Sequence, residues 1–344
     1  MSKYHSILFE ESLPKDFPGF LETHRVQDLP VWGNFKVRNL LELSNTSSIP
    51  NTPFSIERVS DLEPLNDFLA RSVTADSVIV GRTGSIAVLD WKVFYHIRKA
   101  TVGIAKVHLG KAPSELYIIQ RKKLREVLAH VGERLEQGTK SFCTLLFDDY
   151  LFHHFDRIID LEGYSFLMRN SSEYFRQNLG LPSHLQDDRF LSLFARLKSP
   201  HSSKTTVSET GTVRNSFLGC GSRVKGEVEN SIIFHDVHIA KNVHVRGSVI
   251  LPFNTIEEGA VIENTLLLEG KDRLIERNVR IGGFRDVTNG DFPGLMQKGL
   301  SIIGHGITLP RNSQIGAGCL VYGRGEKKMT PPLVVEDGTS YRAL

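Results

Sequence analysis

The sequence predicts an α/β domain with a mostly parallel, Rossmann-like sheet, followed by a parallel β-helix of hexapeptide repeats. Three observations predict this class. Strand-like and helix-like segments alternate through the first half, which is typical of a sheet covered by helices. The polar run "SPHSSKTTVSETGT" has no apolar period and indicates a linker at residues 199–212. Aliphatic residues then recur at a step of six. We therefore predict domains at residues 1–198 and 213–344.

The first half contains the elements of an α/β domain in alternating order. Residues 77–80 form a short apolar run that predicts a buried strand, and residues 90–100 have helical periodicity. The β-branched segment "TVGIAKVHL" predicts the next strand. A longer helix follows and ends near Gly138. Its apolar stripe comprises Leu124, Val127, Leu128, Val131 and Leu135.

The second half carries aliphatic ladders whose step of six matches neither a strand nor a helix. The ladders are Val237, Val243, Val249, Thr255, Val261, Leu267; Ile233, Ile239, Val245, Leu251; Ile256, Ile262, Leu268; and Ile303, Leu309, Ile315, Val321. A triangular coil with one short strand on each side produces such a step, with an aliphatic residue pointing inward from each side. We predict a β-helix, left-handed as in known families with this repeat. The alternative is a β-sandwich with chance spacing.

Composition narrows the classes of partner. The 42 basic and 39 acidic residues give a net charge of +3, without a charged block suited to nucleic acid. No apolar stretch approaches the roughly 18 residues of a membrane span, and the first residues lack the apolar core of a signal peptide. Three widely spaced cysteines, Cys143, Cys220 and Cys319, have no metal-ligand spacing. We expect a cytoplasmic protein that binds neither nucleic acid nor membrane.

Four stretches resemble the bacterial ADP-glucose pyrophosphorylase (glucose-1-phosphate adenylyltransferase) family. They are "RVQDLPVWGN" with "LSN" at residues 43–45, "VGRTGSIAVLDW", "GYSFLMRNSSEYFRQNLGL" and the long segment that begins "GTVRNSFLGCGSRVKGEVENSIIFHDVHI". The resemblance covers most of the chain, although the first domain is shortened between Asn45 and Ser77. It implies that the first domain is a reduced nucleotidyltransferase-like domain.

Departures from the family's pattern predict a lost catalytic site. Glu10 and Glu11 stand where the family has a glycine-rich phosphate loop, and carboxylates there would repel a triphosphate. The basic residue after that loop corresponds to Gln27. The family's two metal-binding aspartates correspond to Gly84 and Leu167, whose side chains offer no metal ligand. We therefore expect no catalytic residues, no metal and no cofactor.

The resemblance is greatest to the family's non-catalytic D-type subunits, which also lack the glycine loop. Like them, this chain keeps "HR...LP" before "G...R...LSN". This implies a regulatory or structural subunit in glycogen synthesis that pairs with a catalytic subunit as a hetero-oligomer, or forms a homo-oligomer alone. In active relatives the corresponding segment and the β-helix enclose a sugar-phosphate effector. The candidate anion-binding residues are His24, Arg25, Lys36, Arg38 and Arg311, with residues 324–329 as a further basic loop. The alternative is that they are ordinary surface charges.

Three other functions stay open. A divergent nucleotidyltransferase would still be active. A hexapeptide acyltransferase would use a histidine as general base; the candidates are His235, His238, His244 and His305, and the spacing of six places His238 and His244 on adjacent coils, facing the same way. A sugar-nucleotide-binding domain would stack a base on an aromatic ring, with Trp32, Trp91 and Tyr95 as candidates. Residues 282–294 interrupt the repeats and predict an extruded loop of unassigned role.

Overall fold

The computed structural model describes residues 4–11, 20, 25–38, 49, 51–90, 93–97, 103–110, 112–197, 199–270, 274–323 and 332–343. His24, Trp91 and the loop at 324–329 lie outside the described residues, as does the side chain of Tyr95. None of the helices in the described part of the chain is long and apolar enough to cross a bilayer.

The first half contains six α-helices and ten strands within its described residues. The helices are α1 (Leu62–Arg71), α2 (Val93–His96), α3 (Arg121–Leu135), α4 (Ser171–Leu179), α5 (Leu181–His184) and α6 (Asp188–Phe194). A π-helical segment spans Thr144–Leu151, and short 3-10 turns span Val26–Asp28 and Val59–Asp61. The strands are β1 (Tyr4–Glu10), β2 (Pro30–Val31), β3 (Phe35–Lys36), β4 (Asn51–Ser55), β5 (Ser77–Arg82), β6 (Ser85–Val88), β7 (Ile104–Leu109), β8 (Ala112–Gln120), β9 (Arg157–Leu161) and β10 (Tyr164–Leu167).

Six of these strands form a mixed sheet in the order β4-β1-β5-β8-β7-β9. Three neighbouring pairs are parallel, whereas β8 runs antiparallel to both β5 and β7. The predicted Rossmann-like sheet is confirmed, with β8 as the reversed strand. Two short antiparallel pairs, β6–β10 and β2–β3, lie outside this sheet.

Apolar side chains cover both faces of the sheet. On one face, α1, α3 and the π-helical segment pack their apolar stripes against β1 and β5, with the predicted Leu124 and Val131 fully buried. On the other face, Tyr4 and Ile79 pack with Phe94 of α2. The strands β5 and β7 are buried almost throughout because both faces are covered.

The second half contains three parallel sheets of short strands. One sheet comprises β11 (Thr206–Val207), β14 (Arg223–Val224), β17 (His238–Ile239), β20 (Thr255–Ile256) and β23 (Leu274–Ile275). The next comprises β12 (Thr212–Arg214), β15 (Glu227–Glu229), β18 (His244–Arg246), β21 (Val261–Glu263), β24 (Arg280–Gly282), β26 (Gln314–Ile315) and β28 (Val334–Val335). The third comprises β13 (Phe217–Leu218), β16 (Ile232–Ile233), β19 (Val249–Ile250), β22 (Thr265–Leu267), β25 (Ser301–Ile303), β27 (Leu320–Gly323) and β29 (Ser340–Ala343). Each strand pairs with the one in the next coil, as the hexapeptide-repeat prediction requires.

One coil takes 17 residues where its register is regular. Ile233 pairs with Ile250, and Ile250 pairs with Leu267. The inward residues therefore follow two steps of six and one of five: Ile233, Ile239, Val245, Ile250, Ile256, Ile262 and Leu267 are all buried in the interior of the β-helix. The predicted ladders drift against this register. Thr255 is exposed, and Leu251 packs towards the first half.

A shared core joins the two halves. Trp32 and Phe166 from the first half belong to one apolar cluster with Phe234 and Leu266 of the β-helix. The turn of the β2–β3 hairpin makes the contact. Trp32 and Gly33 form this tight turn with positive φ angles of 51° and 78°. A Cβ on Gly33 would lie 2.5 Å from the Phe217 ring, so only glycine fits there.

Two predicted loop segments have structural roles. β11 lies inside the predicted linker and pairs with β14, so the linker contributes the first strand of a β-helix sheet. In the extruded loop, the buried Asn289 side chain donates to the carbonyls of Gly318 and Thr339, at 2.8 and 3.3 Å. Met296, just beyond, packs into the shared core. The loop is therefore held to later coils of the β-helix, and the segment after it joins the shared core.

Candidate functional site

The antiparallel pair β6–β10 brings together the two positions where the resembling family has metal-binding aspartates. Leu167 lies opposite Ser85, and the Met168 N–H donates to the Gly84 carbonyl at 2.8 Å. The Gly84 N–H donates to the Glu11 carboxylate at 3.0 Å. Gly84 and Leu167 are therefore neighbours in space, at the edge of a cleft, and neither carries a side chain that could hold a metal.

Arg82, at the end of β5, fills that cleft. Its guanidinium is 3% exposed and donates to Glu115 at 2.7 Å and to Asp148 at 3.0 Å. Glu11 lies 3.4 Å away. Arg169 extends the network, since it pairs with Glu173 at 2.9 Å and approaches Glu115 at 3.8 Å. Two arginines thus face four carboxylates.

The charges of this network explain its pKa shifts. Burial opposes the charge on Arg82, but the hydrogen bond to Glu115 and the surrounding carboxylates raise the Arg82 pKa above its ordinary value. Burial raises the pKa of the Glu11 carboxyl, although Arg82 and the Gly84 N–H oppose that shift. The cavity left beside these groups is about 200 Å³. An acidic, partly filled cleft of this kind disfavours a triphosphate.

A second cavity, of about 550 Å³, lies between the β2–β3 segment and the β-helix. Its charged and polar lining comprises Asp28, Asn34, Lys36, Arg38, His201, His235, Glu269 and His305. Lys36, on β3, and Arg38, just after it, are exposed, whereas Phe35 and Val37 beside them are buried. Two of the predicted anion-binding residues therefore line one cavity.

Arg25 and Arg311 do not line this cavity, and Arg38, which does, already has an acidic partner. Arg25 pairs with Glu10 at 3.0 Å, and Arg38, besides lining the cavity, forms an ion pair with Asp28. Arg311 lies on the β-helix, where its backbone N–H donates to Glu276, and it is absent from the cavity lining. The anion-binding role of these residues stays a prediction.

The hairpin is pinned to the β-helix beside this second cavity. The His235 N–H donates to the Gly33 carbonyl at 2.9 Å, and the Cys220 N–H donates to the Asn34 side chain at 2.7 Å. The Trp32 N–H donates to the Asn178 side chain at 2.9 Å. The cavity wall is therefore fixed by hydrogen bonds from both halves of the chain.

The structure corrects the arrangement predicted for two histidines. His238 lies on β17 and His244 on β18, which belong to different sheets. A step of six moves from one side of a coil to the next side, so the two residues do not stack on adjacent coils. His244 instead pairs with Glu227 at 3.0 Å.

Trp32 cannot stack on a ligand in this conformation. It is 1% exposed and packs edge-on against Phe166 and Phe190. The three cysteines are free thiols. Burial raises the pKa of the Cys143 and Cys319 thiols, which disfavours a nucleophilic thiolate.

Sequence reasoning missed two groups of residues. The partners of Arg82 lie 33 and 66 positions away, at Glu115 and Asp148, and no local motif connects them. His201, His235 and Asp236 come together beside the second cavity. His201 lies in the predicted linker, where no repeat pattern indicated a site.

The repeats place the second half in a recognised class. Residues 200–293 match the family model described as "GlmU-like, C-terminal hexapeptide". The chain also shows weak homology to glucose-1-phosphate adenylyltransferases. It is 23% identical over 169 residues to that of Acetivibrio thermocellus, covering 48% of this chain and 39% of the relative. It is 26% identical over 186 residues to that of Desulfitobacterium hafniense, covering 54% and 41%. The match thus spans about two fifths of the length of these curated relatives.

Proposed function

We propose that this chain is a non-catalytic regulatory or structural subunit of an ADP-glucose pyrophosphorylase-type assembly in α-glucan synthesis. It would bind a catalytic glucose-1-phosphate adenylyltransferase and change that enzyme's rate or its response to an effector. The homology to glucose-1-phosphate adenylyltransferases supports the choice of partner.

One observation carries the non-catalytic part of the proposal. Gly84 and Leu167 are neighbours at the cleft edge, and the cleft beside them holds Arg82 with its carboxylates. Phosphoryl chemistry of this kind needs a divalent metal to neutralise charge at the attacked phosphate. Loss of a single electrostatic group of that type costs about 3–4 kcal/mol of transition-state stabilisation. Losing both metal ligands leaves no credible rate.

The cavity beside Lys36 supports the regulatory part. Lys36 and Arg38 line it together with three histidines, and both halves of the chain form its walls. A ligand bound there would contact both halves, so its binding would depend on how they sit against each other. We propose a sugar phosphate as this ligand, because lysine and arginine suit a phosphate group.

The test is ADP-glucose formation from ATP, glucose 1-phosphate and Mg²⁺ by the catalytic relative from the same genome. The reaction is run with the relative alone, with this chain alone and with both. We expect no rate from this chain alone and a changed rate or effector response in the mixture. An unchanged mixture, together with no co-sedimentation of the two chains, would overturn the proposal.

A second candidate is acyl transfer, which the hexapeptide match keeps open. It predicts binding of acyl-coenzyme A and a general-base histidine. Of the exposed histidines on the repeats, His244 is engaged with Glu227. The same preparation, titrated with acetyl-coenzyme A, separates this candidate from the regulatory subunit.

A further inference from the structure

His201, His235 and Asp236 form a compact cluster beside the second cavity. The two imidazole rings stack with centroids 3.6 Å apart and planes 21° apart. His235 Nδ1 lies 3.1 Å from Asp236 Oδ2. Among the residues that the structure describes, this is the only group whose three ligand-type atoms lie within 4.8 Å of one another.

The backbone holds two of the three residues in place. The His235 N–H donates to the Gly33 carbonyl, and the Asp236 N–H donates to the Cys220 carbonyl, both at 2.9 Å. Asp236 adopts a φ of 55° at a corner of the β-helix. Its carboxylate lies over Gly221, where a Cβ would stand 2.2 Å from Oδ1. Gly221 therefore has to be glycine, because a side chain there would occupy the space of the Asp236 carboxylate in the next coil.

The third residue comes from the segment before the β-helix. The Ser199 hydroxyl donates to the His201 carbonyl at 2.8 Å and accepts from the His201 N–H at 3.1 Å, which closes a tight turn. His201 is partly exposed, whereas His235 is 8% exposed. The His201 ring therefore has room to move when the stacked pair opens around an ion.

The ligand types of the cluster suit a metal ion. The cavity that contains His201 and His235 is mixed in charge, since it is lined by Asp28 and Glu269 as well as by Lys36 and Arg38. Imidazole nitrogen and carboxylate oxygen are common zinc ligands, at about 2.0–2.2 Å from the metal. Three protein ligands with one open position are typical of zinc sites that also bind water or an exogenous ligand. The open position here would face the cavity.

We propose that His201, His235 and Asp236 bind one Zn²⁺ ion at the junction between the two halves. Ligand atoms bound tetrahedrally at about 2.0–2.2 Å lie roughly 3.3–3.6 Å apart. His235 and Asp236 are already that close, at 3.1 Å, so His201 is the residue that moves, and all three ligand atoms start within 4.8 Å of one another. The bound ion ties the linker turn to the corner at Asp236 and presents a positive charge to the cavity. This proposal does not depend on the regulatory function, because the cluster exists whatever the partner.

The test is a titration of the full chain with Zn²⁺ by isothermal calorimetry, after treatment with a chelator. We expect one ion per chain. His201→Gln and Asp236→Asn are expected to weaken binding at least tenfold each, because each removes one of three ligands. Both positions are partly exposed, so these variants are expected to fold. His244→Gln is the matched control: it removes an exposed histidine paired with a carboxylate, and binding should be unchanged.

Cobalt gives an independent readout. Co²⁺ in a four-coordinate site with nitrogen and oxygen ligands absorbs visible light strongly, whereas hydrated Co²⁺ absorbs weakly. We expect this absorption with the unmodified chain and with His244→Gln, and its loss with His201→Gln. Either no Zn²⁺ binding by the unmodified chain or unchanged binding by both ligand variants would overturn the proposal. Neither result bears on the ADP-glucose assay.

Discussion

The cavity beside Arg82 and the cavity beside the β2–β3 hairpin differ in how their charges are satisfied. Beside Gly84, Arg82 is buried among carboxylates within hydrogen-bond or ion-pair distance. Beside the β2–β3 hairpin, Lys36 and Arg38 are exposed at the mouth of a cavity of about 550 Å³. A buried charge must be neutralised by its neighbours, whereas an exposed charge is partly solvated even when it has a partner, as Arg38 has in Asp28. The cleft beside Arg82 is therefore largely filled by its own charged side chains and leaves about 200 Å³, and the cavity beside the hairpin is larger.

Under the proposed non-catalytic function, this difference indicates how the fold persists without metal ligands in the cleft. The strand pair that holds Gly84 and Leu167 still forms, because backbone hydrogen bonds and the apolar core do not depend on a metal. The carboxylates that remain in the cleft need a cation, and Arg82 supplies it. We propose that a ligand acts on both halves at the cavity beside the β2–β3 hairpin, which both halves line.

The largest expected effect comes from removing the buried cation. Arg82→Met leaves Glu11, Glu115 and Asp148 without their common partner, and should lower the free energy of unfolding by about 4 kcal/mol. Arg189→Met is the matched control, because Arg189 and Glu162 form an exposed ion pair that contributes about 0–1 kcal/mol. Urea unfolding of both variants measures the difference. Equal losses would show that the Arg82 network does not stabilise the fold.

A β-helix pair tests the 17-residue coil. Ile256→Ala removes a fully buried side chain and should cost about 3 kcal/mol of unfolding free energy. Thr255→Ala, one position earlier, changes an exposed side chain and should cost less than about 0.5 kcal/mol. The same urea experiment compares them. A larger loss at Thr255 than at Ile256 would contradict the observed register, in which Ile256 points into the β-helix and Thr255 is exposed.

A third pair of variants tests anion binding at the second cavity, beside Lys36. Lys36→Met should weaken binding of glucose 1-phosphate about tenfold, because a hydrogen bond to a charged group contributes about 1.5–3 kcal/mol. Arg311→Met should leave binding unchanged, since Arg311 does not line the cavity. Calorimetric titration measures both, with inorganic phosphate as a second probe. Equal weakening by the two variants would argue against this cavity as the anion site.

The smallest expected effect is a pH dependence of the free energy of unfolding that arises from Glu11, in the cleft beside Arg82. Burial raises the pKa of Glu11, so the folded chain holds this proton to higher pH than the unfolded chain does. Unfolding therefore releases the proton between the ordinary carboxyl pKa and the raised one. In that window the Glu11 contribution to unfolding free energy falls as pH rises, and it levels off above the raised pKa.

Glu11→Gln isolates this contribution. The variant should gain stability relative to the unmodified chain as pH rises through the window, on top of a constant offset from the lost attraction to Arg82. Burial opposes ionisation of Glu173 as well, but Arg169 lowers its pKa, and both proteins share that opposite trend. Urea unfolding from mildly acidic to neutral pH gives the two curves. Parallel curves would contradict the raised Glu11 pKa.

The sequence predicted the β-helix well because its information is local and repeated. Ile239, Val245 and Ile262 lie inward as the ladders required. The ladders failed where one side of the coil is a residue shorter, so that Ile250 points inward while Val249 and Leu251 face the first half. Along a strand, a shift of one residue exchanges the two faces.

The candidate sites were less predictable because they are assembled from distant segments. Resemblance located Gly84 and Leu167, and the structure places them side by side. The neutralisation of Arg82 by Asp148 depends on how the π-helical segment packs on the sheet. The approach of His201 to His235 depends on the linker turn. Neither contact corresponds to a residue spacing that can be recognised in a single sequence.

The proposed lack of catalysis by this chain is tested most directly by the rate of ADP-glucose formation. The isolated chain is supplied with ATP, glucose 1-phosphate and Mg²⁺. We predict no rate above a blank without protein, because no metal ligand stands at Gly84 or Leu167. A Mg²⁺-dependent rate that is abolished by Glu11→Gln or Asp148→Asn would contradict it. Those carboxylates would then be the metal ligands, and the cleft would be an active site.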